Sequence, residues 1–236
     1  MSELTRPSIV LVHGLWPDAS SFNRIVPALQ EEGYEVFAPQ FGLDTLASDV
    51  EAVRRAFSRV PGPILLVGHF YGGTLATAAG VDDRVAGLVY IAGLAPDADE
   101  TSQSLQDEFP PTDLFKTSQV ECSEGRLWMK PGAAKYFANG LSAVKRRTLW
   151  ATHAAPAADI LAQKVEGTAW KTKPSWYVLI KDDRVAHPAL QQFLARRMRA
   201  TTYETSGGHI GVLSKPDLAL RVIRDAAKAC SHAGVE

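Results

Sequence analysis

Short stretches of nearly unbroken apolar residues recur along the chain. Ser8-Ile9-Val10-Leu11-Val12, Ile64-Leu65-Leu66-Val67, the run from Val85 to Leu94 and Trp176-Tyr177-Val178-Leu179-Ile180 are the strongest. Runs of this length without polar alternation predict strands buried on both faces, as in a parallel sheet. Tyr34-Glu35-Val36-Phe37-Ala38 and Thr201-Thr202-Tyr203-Glu204 are weaker strand candidates. Between the runs the apolar period becomes helical. Leu46, Val50, Val53 and Phe57 share one face of a helix opened by Asp44 or Thr45 and closed by Pro61-Gly62-Pro63. Ser20 or Ser21 is placed to cap a helix to about Glu32, ended by Gly33, and further helices are predicted from Pro188 to about Arg199 and from Lys215-Pro216-Asp217 to about Cys230. Strand–helix alternation with short links predicts an α/β fold with a doubly wound, mostly parallel sheet and right-handed crossovers.

From about Asp97 to Lys173 that alternation breaks. The segment is richer in polar residues, contains Pro110-Pro111, and has irregular helical stretches around 133–150 and 156–164. It is too long for a bare loop. The expected organisation is a core of residues 1–96 and 174–236 with a helical cap, 97–173, inserted over the sheet. Its recurring aromatics, among them Phe109, Phe115, Trp128, Phe137, Trp150 and Trp170, are expected mostly as local core, with others lining a pocket.

Composition narrows the function. Net charge is −1, which favours neither nucleic acid nor an anionic membrane. No apolar run approaches the ~18 residues of a membrane span, and no charged-then-apolar leader opens the chain. These features predict a cytoplasmic protein with no membrane or nucleic-acid partner. Cys122 and Cys230 are too separated for a disulfide framework and read as free thiols. No metal-ligand spacing and no G-x-G-x-x-G after a strand is present, so neither a metal nor a cofactor is implied.

The chemistry concentrates at Gly68-His69-Phe70-Tyr71-Gly72-Gly73. A buried strand leads in and a small-residue helix leads out, with glycines where strand and helix pass too close for side chains. This is the layout of a nucleophile elbow, G-x-S-x-G, with Phe70 where the nucleophile stands. A strand ending in His13-Gly14, the elbow, Asp183 after a late strand and Gly208-His209 before the last helix follow in that order.

With these motifs in this order the chain resembles the α/β-hydrolase family over nearly its whole length, and in particular its small esterases and hydroxynitrile lyases. The resemblance implies His209 as base, Asp183 as its orienting acid with Asp182 the competitor, and the amides of Leu15 and Tyr71 as oxyanion donors. Phe70, Leu15, Tyr71, His13, Trp16 and His69 are then expected around the substrate, His13 and His69 chiefly as braces of the loop and elbow. His153 and His187 are expected in the cap and on the surface. Phe70 departs from the family: a phenyl ring neither yields a proton nor attacks a carbonyl, so no acyl intermediate forms there.

Oxyanion donors still suit reactions that build charge on a carbonyl-like oxygen without a nucleophile, such as proton removal beside an activated carbonyl. Phenylalanine at the elbow is also a feature shared with the atypical peptide epimerases of bottromycin biosynthesis, which the chain resembles. That resemblance implies a small modified peptide as substrate, inverted at an aspartyl Cα beside a thiazoline, with His209 or a group of the substrate as base. A ligand-binding pseudoenzyme and an esterase inactivated by the Phe70 substitution remain as alternatives.

Overall fold

The structure is a computed structural model and describes residues 6–231. In chain order its first elements are β1 (Ser8–Val12), α1 (Ile25–Glu31), β2 (Val36–Phe37), α2 (Leu46–Phe57), β3 (Ile64–His69), α3 (Tyr71–Ala79) and β4 (Val85–Ile91). An excursion of α4 (Ser102–Asp107), α5 (Asp113–Lys116), β5 (Val120–Ser123), β6 (Arg126–Met129), α6 (Ala134–Phe137) and α7 (Ala143–Ala151) follows. The chain returns with β7 (Ser175–Ile180), α8 (Pro188–Arg197), β8 (Thr201–Thr205), α9 (Gly211–Ser214) and α10 (Asp217–Cys230).

Six strands form one sheet in the order β2-β1-β3-β4-β7-β8, every neighbouring pair parallel. β1, β3 and β7 are buried at every position, which is why they read as continuous apolar runs. The chain moves outward from β1 to β2, then reverses toward β3 and β4. Right-handed crossovers therefore place α1 on one face and α2 and α3 on the other. α1 packs with α10 and α2 with α3. Thr45 caps α2, its side chain accepting from the Ser48 N–H, and Leu46, Val50, Val53 and Phe57 face the core. The buried side of α10 runs from Ala219 to Cys230 and lies against β3, β4 and β7.

Three expectations need correction. The helix expected over 20–32 is split: Asp18, not a serine, caps a 3-10 turn at Ala19–Phe22, and α1 begins only at Ile25. Pro27 accounts for the late start, because it fits the first turn of a helix and not its interior. The second strand shrinks to Val36–Phe37, half-exposed at the sheet edge. The 97–173 segment is not purely helical. β5 and β6 form an antiparallel hairpin, Ser123 opposite Arg126, turning through Glu124 (φ 51°) and Gly125 (φ 72°). Two positive φ values at a two-residue link match the twist of a hairpin. The stretch expected as helix over 156–164 keeps only a 3-10 turn, Ile160–Ala162.

Candidate active site

The sheet reverses direction between β1 and β3, and ligands of open α/β sheets bind beyond the strand ends at such a point. β1 runs out into His13-Gly14 and β3 into Phe70. The glycines of the elbow have no room for a side chain. A Cβ on Gly68 would lie 2.3 Å from the Gly72 carbonyl oxygen, and one on Gly72 would lie 2.1 Å from that of Val12. Phe70 holds φ 50° and ψ −112°, a conformation that side-chain-bearing residues rarely adopt. Such strain is worth roughly 1–3 kcal/mol. It is held by the surroundings: the Phe70 N–H donates to the Ile91 carbonyl at 3.2 Å, and the Phe70 carbonyl accepts from Gly73 and Leu94, both at 2.9 Å.

The loop after β7 and the loop after β8 meet beside this turn. His209 Nδ1 lies 2.8 Å from Asp183 Oδ2, with both side chains buried. Asp183 accepts three more bonds: from the Val185 and Ala186 amides at 2.8 and 3.0 Å and from Gln191 Nε2 at 2.9 Å. Asp182 is exposed and accepts only the Gly207 N–H, so it is Asp183 that pairs with the histidine. With Nδ1 donating to a carboxylate, the ring's other nitrogen is left to act as acceptor or base. That nitrogen, Nε2, is buried and has no hydrogen-bond partner among the described residues. Phe70 stands edge-on to the imidazole with ring centres 5.0 Å apart, and Phe137 of α6 is 5.1 Å away on a tilted approach.

Two further histidines are buried nearby. His69 lies 4.5 Å from His209, centre to centre, and its Nε2 contacts the His209 carbonyl at 3.3 Å. Burial holds its pKa well below the ordinary histidine value. His13 stacks on Phe41 with ring centres 3.8 Å apart, and burial lowers its pKa too. The side chain of Tyr71 does not reach the ligand side: its hydroxyl donates to Asp49 at 3.1 Å. Burial pushes the Asp49 carboxyl up to about 6 and raises the Tyr71 hydroxyl as well. The Leu15 and Tyr71 amides donate to no protein group among the described residues. Gly14, one residue before Leu15, is pressed against the elbow, since a Cβ there would lie 3.2 Å from the Phe70 Cβ.

A cavity of about 580 Å³ opens between the sheet edge and the cap. Leu15 and Trp16 form its floor and Phe109, Phe115, Leu127 and Leu161 much of its apolar wall. Trp16 fixes the floor to the cap, donating from Nε1 to the Leu127 carbonyl at 3.0 Å and accepting from the Ala154 amide at 2.9 Å. Of the residues expected around a substrate, Leu15 and Trp16 line this cavity. Phe70, Tyr71, His13, His69, His209 and Asp183 are not in its wall and are all buried. Phe70 thus stands at the tip of the elbow with its ring edge-on to His209.

The sequence reading missed several residues of this arrangement. Gln191 bridges Asp183 and the Ile180 amide, Asp49 bonds Tyr71, Phe137 covers His209 from the cap, and His187 lines the cavity. Only the apolar spacing of α2, which turns Asp49 inward between Leu46, Val50 and Val53, carried a signal. Among the described residues no cluster of His, Cys, Asp and Glu is placed to hold a metal, and no helix is long and apolar enough to cross a membrane.

Comparison with known proteins agrees with this geometry. An alpha/beta hydrolase from Aspergillus novofumigatus, nvfD, is 27% identical over 95% of this chain and 98% of its own. A pyrethroid hydrolase of Sphingobium wenxiniae is 30% identical over a shorter stretch, 39% of this chain and 37% of its own. The crystal structure of polyneuridine aldehyde esterase superimposes with a TM-score of 0.78 at 17% identity, over 94% of this chain and 99% of that one. The pattern of the alpha/beta hydrolase family matches residues 9–222, and the chain belongs to that family.

Proposed function

We propose that the chain is a non-hydrolytic enzyme that inverts an aspartyl Cα beside a thiazoline in a small modified peptide of the bottromycin type. One proton is removed from that carbon and one is returned to the opposite face, with no covalent intermediate and no change of oxidation state. The observation that carries the reading is Phe70 in the strained elbow conformation, where the family's mechanism needs a hydroxyl. The amide of Leu15, a residue of the cavity wall, has no protein acceptor among the described residues and would steady charge that develops on the carbonyl or ring nitrogen next to the reacting carbon.

The base in this reading is the substrate's own carboxylate. His209 is not in the cavity wall, and its Nε2 is buried without a hydrogen-bond partner among the described residues. The cavity wall carries no lysine or arginine that would pair with a carboxylate. An unpaired carboxylate removed from water becomes a stronger base.

The test is to incubate the protein with a thiazoline-containing aspartyl peptide in deuterated buffer and follow Cα deuteration by mass spectrometry and NMR. Deuterium at that one Cα, retained on substitution of His209→Asn, is the expected result. Asparagine keeps a donor toward Asp183 and removes the basic nitrogen. Saturable binding without exchange would replace the proposal by a ligand-binding role, and turnover of simple esters by the unaltered chain would replace it by hydrolysis.

A further inference from the structure

We propose that His187 is a ligand-contacting residue of the cavity, donating its Nε2–H to an uncharged carbonyl group of the ligand. His187 precedes Pro188 and is the N-cap of α8, where its Nδ1 receives the Ala189 N–H at 3.2 Å. A backbone N–H can only donate, so Nδ1 is the acceptor and the ring's proton lies on Nε2. Among the described residues Nε2 has no hydrogen-bond partner, and the ring belongs to the cavity wall. Phe109, also in the wall, stacks beside the ring with centres 6.2 Å apart and planes inclined by 28°. The imidazole is therefore fixed on one nitrogen, packed on one side, and left with a donor for whatever fills the cavity.

The rest of the wall favours a neutral group at His187. Among the described residues the wall's one carboxylate is Asp107, which accepts from Gln103 Nε2 at 2.7 Å, and it has no cationic side chain. A carboxylate placed against His187 would find no counter-charge in the wall, and an ammonium there would meet a donor. A neutral carbonyl compound accepts from His187, and an amide N–H can in addition donate toward the α4 side. This inference uses the cavity of the proposed function but does not depend on proton exchange taking place in it.

N-methyldecanamide and decanoate, neither with a centre to invert, serve as probes at pH 8. Calorimetric titration is expected to show the amide binding more tightly than the acid. His187→Asn keeps a good helix cap with a shorter side chain, and is expected to weaken amide binding about 3- to 10-fold, the value of one hydrogen bond. Its melting temperature should stay near that of the parent. In the parent, imidazole ¹⁵N spectra should show His187 protonated at Nε2, with that signal moving when the amide is added. Equal amide affinity in the two proteins, tighter binding of decanoate, binding of neither probe, or a proton on Nδ1 would each overturn the proposal. Failure of deuterium exchange in the peptide assay would leave these readouts unchanged, so the two claims fail separately.

Discussion

The elbow with its histidine–aspartate pair and the chamber under the cap lie side by side and are built in opposite ways. Around the elbow every position is specified. Asp183 has four donors, Gly68 and Gly72 have no space, and Phe70 is held in a strained conformation by three backbone bonds. The chamber is walled by loops, short helices and a hairpin, largely apolar, with a few polar groups on one side. The first region has the framework of the family's site and the second has the room for a ligand, and Phe70 packs edge-on to His209 within the first. The His209–Asp183 contact ties the loops after β7 and β8. Breaking a buried pair of this kind by removing one partner costs about 3–5 kcal/mol.

The sharpest way to break the specified region is Gly72→Ala. Its methyl would meet the carbonyl oxygens of Val12 and His13, at 2.1 and 2.6 Å, which are backbone and cannot swing away. A loss above about 4 kcal/mol is expected, seen as little soluble protein or a collapsed melting temperature. A melting temperature close to the parent's would show that strand and helix are not so closely packed.

Phe70→Ser should give the first region a reacting group. It supplies a hydroxyl at the elbow beside the His209 ring, with Asp183 already at 2.8 Å from Nδ1. Hydrolysis of a short p-nitrophenyl ester should rise by at least about 10³ over the parent, which lacks a nucleophile. No gain in a folded variant would mean that the pair or the oxyanion amides are misplaced for catalysis.

A smaller effect marks the edge of the specified region, at Asp49. Its pKa is raised to about 6 in the folded chain by burial, against ~3.9 for a free aspartate. The folded state therefore binds the proton more tightly than the unfolded state. The stability from this group is fully present below about pH 4 and is lost as pH rises through 6, by at most about 3 kcal/mol. Asp49→Asn keeps an acceptor for the Leu43 N–H and a donor toward Tyr71 and does not titrate. Relative to the parent it should gain stability between pH 4.5 and 8 in urea unfolding. A constant difference across that range would contradict the assigned burial cost.

Much of the specified region was legible in the sequence, because it depends on residue types that serve backbone geometry. The apolar runs pointed to the sheet, Thr45 to the start of α2, and Gly68 and Gly72 to the elbow. The order of His13-Gly14, Phe70, Asp183 and His209 pointed to strand ends that the fold does bring together. The chamber was legible only in part, in Leu15, Trp16 and the cap aromatics Phe109 and Phe115 that line it. Its hairpin rests on Glu124-Gly125 within a polar stretch, and its seal on Phe137 meeting His209 across 72 positions of chain, which no local pattern encodes. His187 read as a surface residue because its meaning comes from packing on Phe109 and capping α8.

The most direct test of Phe70 at the nucleophile position is to treat parent and Phe70→Ser with an excess of a fluorophosphonate and weigh the intact proteins. The parent should remain unmodified, and Phe70→Ser should gain one phosphonyl group, mapped to residue 70 and lost on additional substitution of His209. A covalent adduct on the parent, on any side chain, would contradict the account.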